Sequence, residues 1–102
     1  MDKGDRDLMG GWAGQRFAAP EHVLVRELEG EAVLLDLERE VYFGLDEVAT
    51  RFWVLLTTSG SVQAAFDAIL KEFDVVPEVL EEDLSSLIRE LVARGLLEPA
   101  TE

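Results

Sequence analysis

The hydrophobic period of this chain changes once, from two residues to 3.6, and the change falls at Asp46. Before it, three short runs alternate apolar with polar positions. After it, three longer runs repeat every three to four positions. The first period marks a strand with one covered face and the second an amphipathic helix. The order is therefore β-β-β-α-α-α within 102 residues, a length that suits one domain.

The strand runs cover residues 23–28, 32–37 and 41–45. In the second, Val33, Leu35 and Leu37 lie on one face and Asp36 on the other; in the third, Val41, Phe43 and Leu45 alternate against Tyr42. Only Glu29-Gly30-Glu31 and Glu38-Arg39-Glu40 separate the runs. Connections this short cannot cross over, so the strands form an antiparallel meander. One face of such a sheet needs cover, and the helices supply it.

Asp46 is a good N-cap for a helix over 46–58, whose stripe is Val48, Phe52, Leu55 and Leu56. Ser61 caps a helix over 61–73 with Val62, Ala65, Phe66, Ile69, Leu70 and Phe73 on one face. Pro77 suits the first turn of a third helix over 77–94, with acidic residues early and Arg89 and Arg94 late, as the dipole favours. Gly95 is a natural C′ residue, and Leu96 beyond it folds back onto the stripe. The expected class is α+β: a winged helix-turn-helix-like domain with a three-stranded antiparallel N-terminal sheet followed by a three-helix bundle.

Glycines at 4, 10, 11 and 14 interrupt any period near the start, so residues 1–20 read as a flexible tail. Within it, Trp12 and Phe17 are expected to be partly exposed or loosely packed; the alternative is that they cover a groove until a partner displaces them. Residues 21–98 form the domain and 99–102 a short C-terminal tail.

Composition narrows the function. The chain has no cysteine and one histidine, His22, which is read as a loop residue. Thiolate chemistry and metal sites built on several histidines are thereby excluded. Glu78, Glu81 and Glu82 fall within one helical turn, which matches a solvated helix N-terminus better than a cation site. No glycine-rich phosphate cradle follows a strand. No catalytic residues, metal ligands or cofactors are expected, and the chain does not read as an enzyme. Its net charge of −13 opposes nucleic-acid binding. No apolar run approaches membrane-spanning length, and no signal peptide is read at the start. A cytoplasmic location suits the absence of cysteine.

What remains is a binding surface. The run Val41, Tyr42, Phe43, Gly44, Leu45 holds none of the charged residues or prolines that normally blunt a sheet edge. One reading makes Val41, Phe43 and Leu45 core residues with Tyr42 half-exposed; the other leaves an edge open to a further strand. In the third helix Leu80, Leu84, Leu87 and Leu91 share one line, flanked by Ile88 and Val92, with Val79, Asp83 and Glu90 on the opposite flank. That stripe is wider than a small sheet and two helices must cover. Its surplus forms one wall of a groove whose other wall is the strand edge, a geometry suited to β-strand addition.

The segments EAVLLDLEREVYFGLDEVATRFWVLL, FDAILKEFDVVPE and EEDLSSLIRELVARGLLE, within about residues 23–98, resemble the PqqD-like family of RiPP precursor recognition elements. The pairing of YFGLDEVATRFW with DL..LI.EL..RGLLE carries most of that resemblance. It implies a winged-helix-like fold that binds a precursor's leader peptide as a fourth strand between the third strand and third helix. It further implies delivery to a modifying enzyme, either a leader peptidase or a radical SAM enzyme. By position, Val41–Leu45 become the augmented strand, and Asp83 and Leu87 groove-wall residues, with Val79, Leu80 and Glu90 beside them. The resemblance fits a stand-alone recognition protein, of lasso-peptide type or a generic one, and extends to PqqD itself. A monomer or weak homodimer is expected. The rival readings are a winged-helix DNA-binding or regulatory protein, and a structural subunit that self-associates through the same groove.

Overall fold

The computed structural model describes residues 10–12, 14–59 and 61–100. Its elements, after a 3-10 turn at Gly10–Trp12, are β1 (Phe17–Ala18), β2 (Val23–Leu28), β3 (Glu31–Asp36) and β4 (Val41–Leu45). The helices α1 (Glu47–Ser59), α2 (Val62–Glu72) and α3 (Pro77–Ala93) follow, and β5 (Glu98–Pro99) comes last. The main sheet is antiparallel in the order β2-β3-β4, the meander that the short connections require.

The helix ends follow the sequence closely. The N–H of Ala49 donates to Asp46 Oδ1 at 2.8 Å, and that of Ala64 to Ser61 Oγ at 3.2 Å. Pro77 occupies the first turn of α3. At its far end Leu96 N–H donates to Leu91 O (2.8 Å) and Gly95 N–H to Val92 O (3.0 Å), with Gly95 at φ +76°. These two bonds are a Schellman motif, and they turn Leu96 into the core, where it is fully buried.

One sheet face carries the core, but not the face that Val33, Leu35 and Leu37 suggest. Ala32, Leu34 and Asp36 are buried, while Val33 and Leu37 are exposed. Asp36 turns inward because its carboxylate holds the β3–β4 turn: Oδ1 accepts from the N–H groups of Glu38 (3.0 Å) and Arg39 (3.1 Å). Register then places Val41, Phe43 and Leu45 opposite Asp36, Leu34 and Ala32, on the inward face. Helices α1, α2 and α3 pack beneath through Phe52, Trp53, Leu56, Phe66, Ile69, Leu84 and Ile88.

Thr50 joins α1 to the sheet. Its buried hydroxyl accepts from Ala32 N–H at 2.9 Å and donates to Leu45 O at 3.3 Å. Arg51 binds Glu72 through two hydrogen bonds of 2.7 and 2.9 Å, tying α1 to the end of α2.

The boundary drawn at residue 20 does not follow the packing. Ala18 pairs with Glu98 and Phe17 with Pro99, and Phe17 is only 3% exposed against the core. Trp12 sits over it with ring centroids 6.0 Å apart. A bulky aromatic beside a small core gains more from burial than the glycine-rich segment loses in chain entropy. The C-terminal tail expected from residue 99 likewise begins inside a strand pair. The expectation of a tail over residues 1–9 lies outside the described residues. Among the described residues no helix is long and apolar enough to cross a membrane.

Candidate peptide-binding edge and cleft

The main sheet has two outer strands with different chemistry. Strand β2 carries Arg26 and Glu27, both exposed, which blunt an edge. Strand β4 carries no charge, and among the described residues it pairs on one side only. Exposure falls along its inward face, from Val41 (37%) through half-buried Phe43 to buried Leu45. Tyr42 and Gly44 point to the outer face, and both are exposed.

Beside this strand lies a cleft of about 400 Å³ between the start of α1 and the outer side of α3. Val79, Leu80, Asp83, Leu87 and Glu90, the five helix residues named from the sequence, all line it. None of Val41–Leu45 does. The strand meets the cleft through Asp46, the next residue, which stands in its wall. Midway along β4 the Arg94 guanidinium lies 5.3 Å above the Phe43 ring, so the end of α3 comes down onto the strand there. The helix wall is thus brought together as a unit, with the strand as its continuation.

Sequence reasoning missed the opposite wall, built by Asp46, Val48, Ala49 and Val75. A signal was present: a residue that ends a strand and caps a helix forces the first helical turn to stand beside the strand's end. The core line of α3 also differs from the leucine line. Leu80, Leu84, Ser85, Ile88 and Leu91 are buried, and Leu87 is half-buried because it turns toward the cleft.

Three carboxylates rim this apolar cleft, and their states differ. Asp46 is held by the Ala49 N–H. Glu90 pairs with Arg94 at 2.9 Å. Asp83 is exposed and has no hydrogen bond or ion pair among the described residues. The cleft therefore offers apolar walls and one uncommitted negative charge.

The β3–β4 turn is fastened to the end of α3. Arg39 Nη1 donates to Arg94 O at 2.8 Å, and Asp36 Oδ2 lies 3.9 Å from Arg39 Nε. His22 lies between Asp36 and Glu38, at 3.8 and 3.9 Å. Among the described residues no group of three or more His, Cys, Asp or Glu side chains is arranged to hold a metal ion.

Fold and site together define a class: a small winged-helix-like α+β domain with one unblocked sheet edge running into a helix-walled apolar cleft. The chain belongs to the PqqD family, whose model, described as coenzyme PQQ synthesis protein D (PqqD), matches residues 31–97. Two solved structures share the fold. The first is described as TbiB1 in complex with the TbiA(beta) leader peptide; it is 34% identical, with a TM-score of 0.74 over 83% of this chain and 99% of that one. The second, lasso peptide synthetase B1 complexed with the leader peptide, is 23% identical, with a TM-score of 0.73 over 82% of this chain and 99% of that one. Among curated proteins none matches the chain.

Proposed function

We propose that this protein is a non-catalytic module that binds the leader segment of a ribosomally made precursor peptide and presents it to a separate modifying enzyme or leader peptidase. The peptide adds as a fourth strand beside Val41, Tyr42, Phe43, Gly44 and Leu45. Val79, Leu80, Asp83, Leu87 and Glu90 receive its inward side chains. The peptide-binding unit over 21–98 works with the flanking β1–β5 pair, in the cytoplasm, as a monomer or weak dimer.

One observation carries the reading: a charge-free strand edge leads directly into a cleft lined by all five helix residues. Each main-chain hydrogen bond to the edge contributes about 0.5–1.5 kcal/mol net, and apolar side chains entering the cleft add their burial. The family and the leader-peptide complexes of similar fold support the choice of ligand. A lasso-type pathway is the finer reading, suggested by the structure of similar fold that is described as lasso peptide synthetase B1.

The test is a titration of the full chain with precursor peptides encoded beside its gene, followed by NMR. Saturable binding with shifts concentrated at 41–45 and 79–90 is expected. If no such peptide binds, or if the shifts lie on β2, the proposal is wrong.

A further inference from the structure

The outer face of the main sheet is largely apolar, with Arg26 and Glu31 as its charged members, and among the described residues no element packs over it. Leu24, Leu28, Val33, Leu37 and Tyr42 are all exposed, Leu28 to 76% and Tyr42 to 72%. Register puts Leu24, Leu35 and Tyr42 in one row across the sheet and Arg26, Val33 and Gly44 in the next, on the side opposite buried Ala32 and Leu34. A hollow of about 410 Å³ opens there between Leu28, Val33 and Gly44, with Glu31 and Asp46 in its wall; the lack of a side chain at Gly44 leaves space. Contiguous apolar surface of this kind on a small protein marks a docking site.

We propose that this face docks the protein that acts on the bound peptide, a partner with an apolar centre and a basic rim. The inference rests on the strand-addition reading above. Two observations select that occupant. The hairpin turns bordering the face carry Glu29, Glu31, Glu38 and Glu40, all exposed, against Arg39 as their one basic residue, in a chain of net charge −13. A second copy would set two acidic rims against each other, whereas a partner with lysine and arginine around its apolar patch is attracted. The second observation is continuity. Side chains alternate along a strand, so a peptide added beside β4 points every second side chain onto this face, next to Tyr42 and Gly44. The partner then meets a four-stranded surface in the loaded protein and a three-stranded one in the empty protein. It binds the loaded form more tightly and, by linkage, tightens peptide binding by the same factor.

Leu28→Lys and Leu37→Lys test this together. Both side chains are exposed, neither belongs to the peptide site, and both lie near carboxylates that accommodate the new charge. The full chain is titrated with its neighbouring precursor peptide, and then, loaded and empty, with the modifying enzyme encoded beside it. The double variant should bind peptide within about twofold of wild type and the enzyme at least about tenfold more weakly, with wild type preferring the enzyme when loaded. Wild-type enzyme affinity in the double variant overturns this inference and leaves the peptide reading standing. A wild-type chain that binds no peptide overturns that reading, and this inference with it. A wild-type dimer in sedimentation that the double variant abolishes makes the occupant a second copy and refutes the proposal.

Discussion

Asp83→Ala separates a binding role for the cleft from a structural one. Asp83 makes no hydrogen bond or ion pair among the described residues, its side chain is exposed, and it stands beyond the first turn of α3, where the helix dipole has faded. Its removal should change stability by no more than about 0.5 kcal/mol, a midpoint shift of about 2–4 °C at most. A cationic group of a bound peptide about 5 Å away would gain about 0.8–1.7 kcal/mol at an effective dielectric of about 40–80. Screening at about 0.1 M salt leaves roughly 0.6 of that, so the substitution should weaken binding by about two- to sixfold. At about 1 M salt roughly a fifth survives, and the difference should nearly vanish. Fluorescence anisotropy with a labelled precursor peptide at both salt concentrations, beside a thermal melt, measures all three quantities. Unchanged affinity at low salt would refute the reasoning, as would a loss that persists at 1 M. A midpoint drop beyond about 5 °C would make Asp83 a structural residue.

Three further outcomes follow from the packing. Phe17→Ala should cost about 3 kcal/mol in urea unfolding, because Phe17 is buried although it precedes the family-matched residues; a loss under about 1 kcal/mol would return it to a tail. Gly95→Ala should cost about 1–2 kcal/mol, since φ is +76° and the new Cβ would meet Arg39 Nη1 at 2.9 Å; an unchanged midpoint would mean that the Schellman turn is not held in solution. The hydrogen bond from Arg51 is the main cause that holds the Glu72 carboxyl below the usual range; desolvation opposes it and the Arg51 charge adds to it. A carboxyl lowered on folding stabilises above its unfolded value, about 4.3, and that contribution is lost as pH falls through the lower folded value. The stability gap between wild type and Glu72→Gln should therefore be present near neutral pH and close in acid; a gap that widens below pH 4 would contradict the ion pair.

The parts of the fold legible in the sequence were those governed by neighbours along the chain. The period change at Asp46, the caps at Asp46 and Ser61, Pro77 at the start of α3 and the turn at Gly95 all depend on residues within one turn of each other. The orientation of β3 was not legible. Its apolar residues occupy both parities, Ala32 and Leu34 on one and Val33 and Leu35 on the other, so alternation alone cannot choose between them. The choice is made by Asp36, whose carboxylate is needed by two turn N–H groups, and by register with Phe43 and Leu45. Phe17 escaped for a related reason: its partner strand is some 80 residues away, and a two-residue pair has no periodicity to detect.

The site divides along the same line. Five residues of α3 were found together because a helix face is a local property, while the α1 wall depends on how two helices meet. What sets that meeting is a short chain of contacts. Leu45 ends the strand, Asp46 caps α1, and Thr50 one turn later grips Leu45 O and Ala32 N–H. The near end of β4 and the mouth of the cleft are thus held by one rigid corner, and Arg39 with Arg94 holds the far end. On the strand-addition proposal, a peptide laid along this edge would find its main-chain partners and its side-chain pocket already at fixed separation. Less ordering would then be left to be done on binding, and a short segment would bind with useful affinity. Loosening the corner should accordingly weaken peptide binding even though Thr50 does not itself line the cleft between α1 and α3.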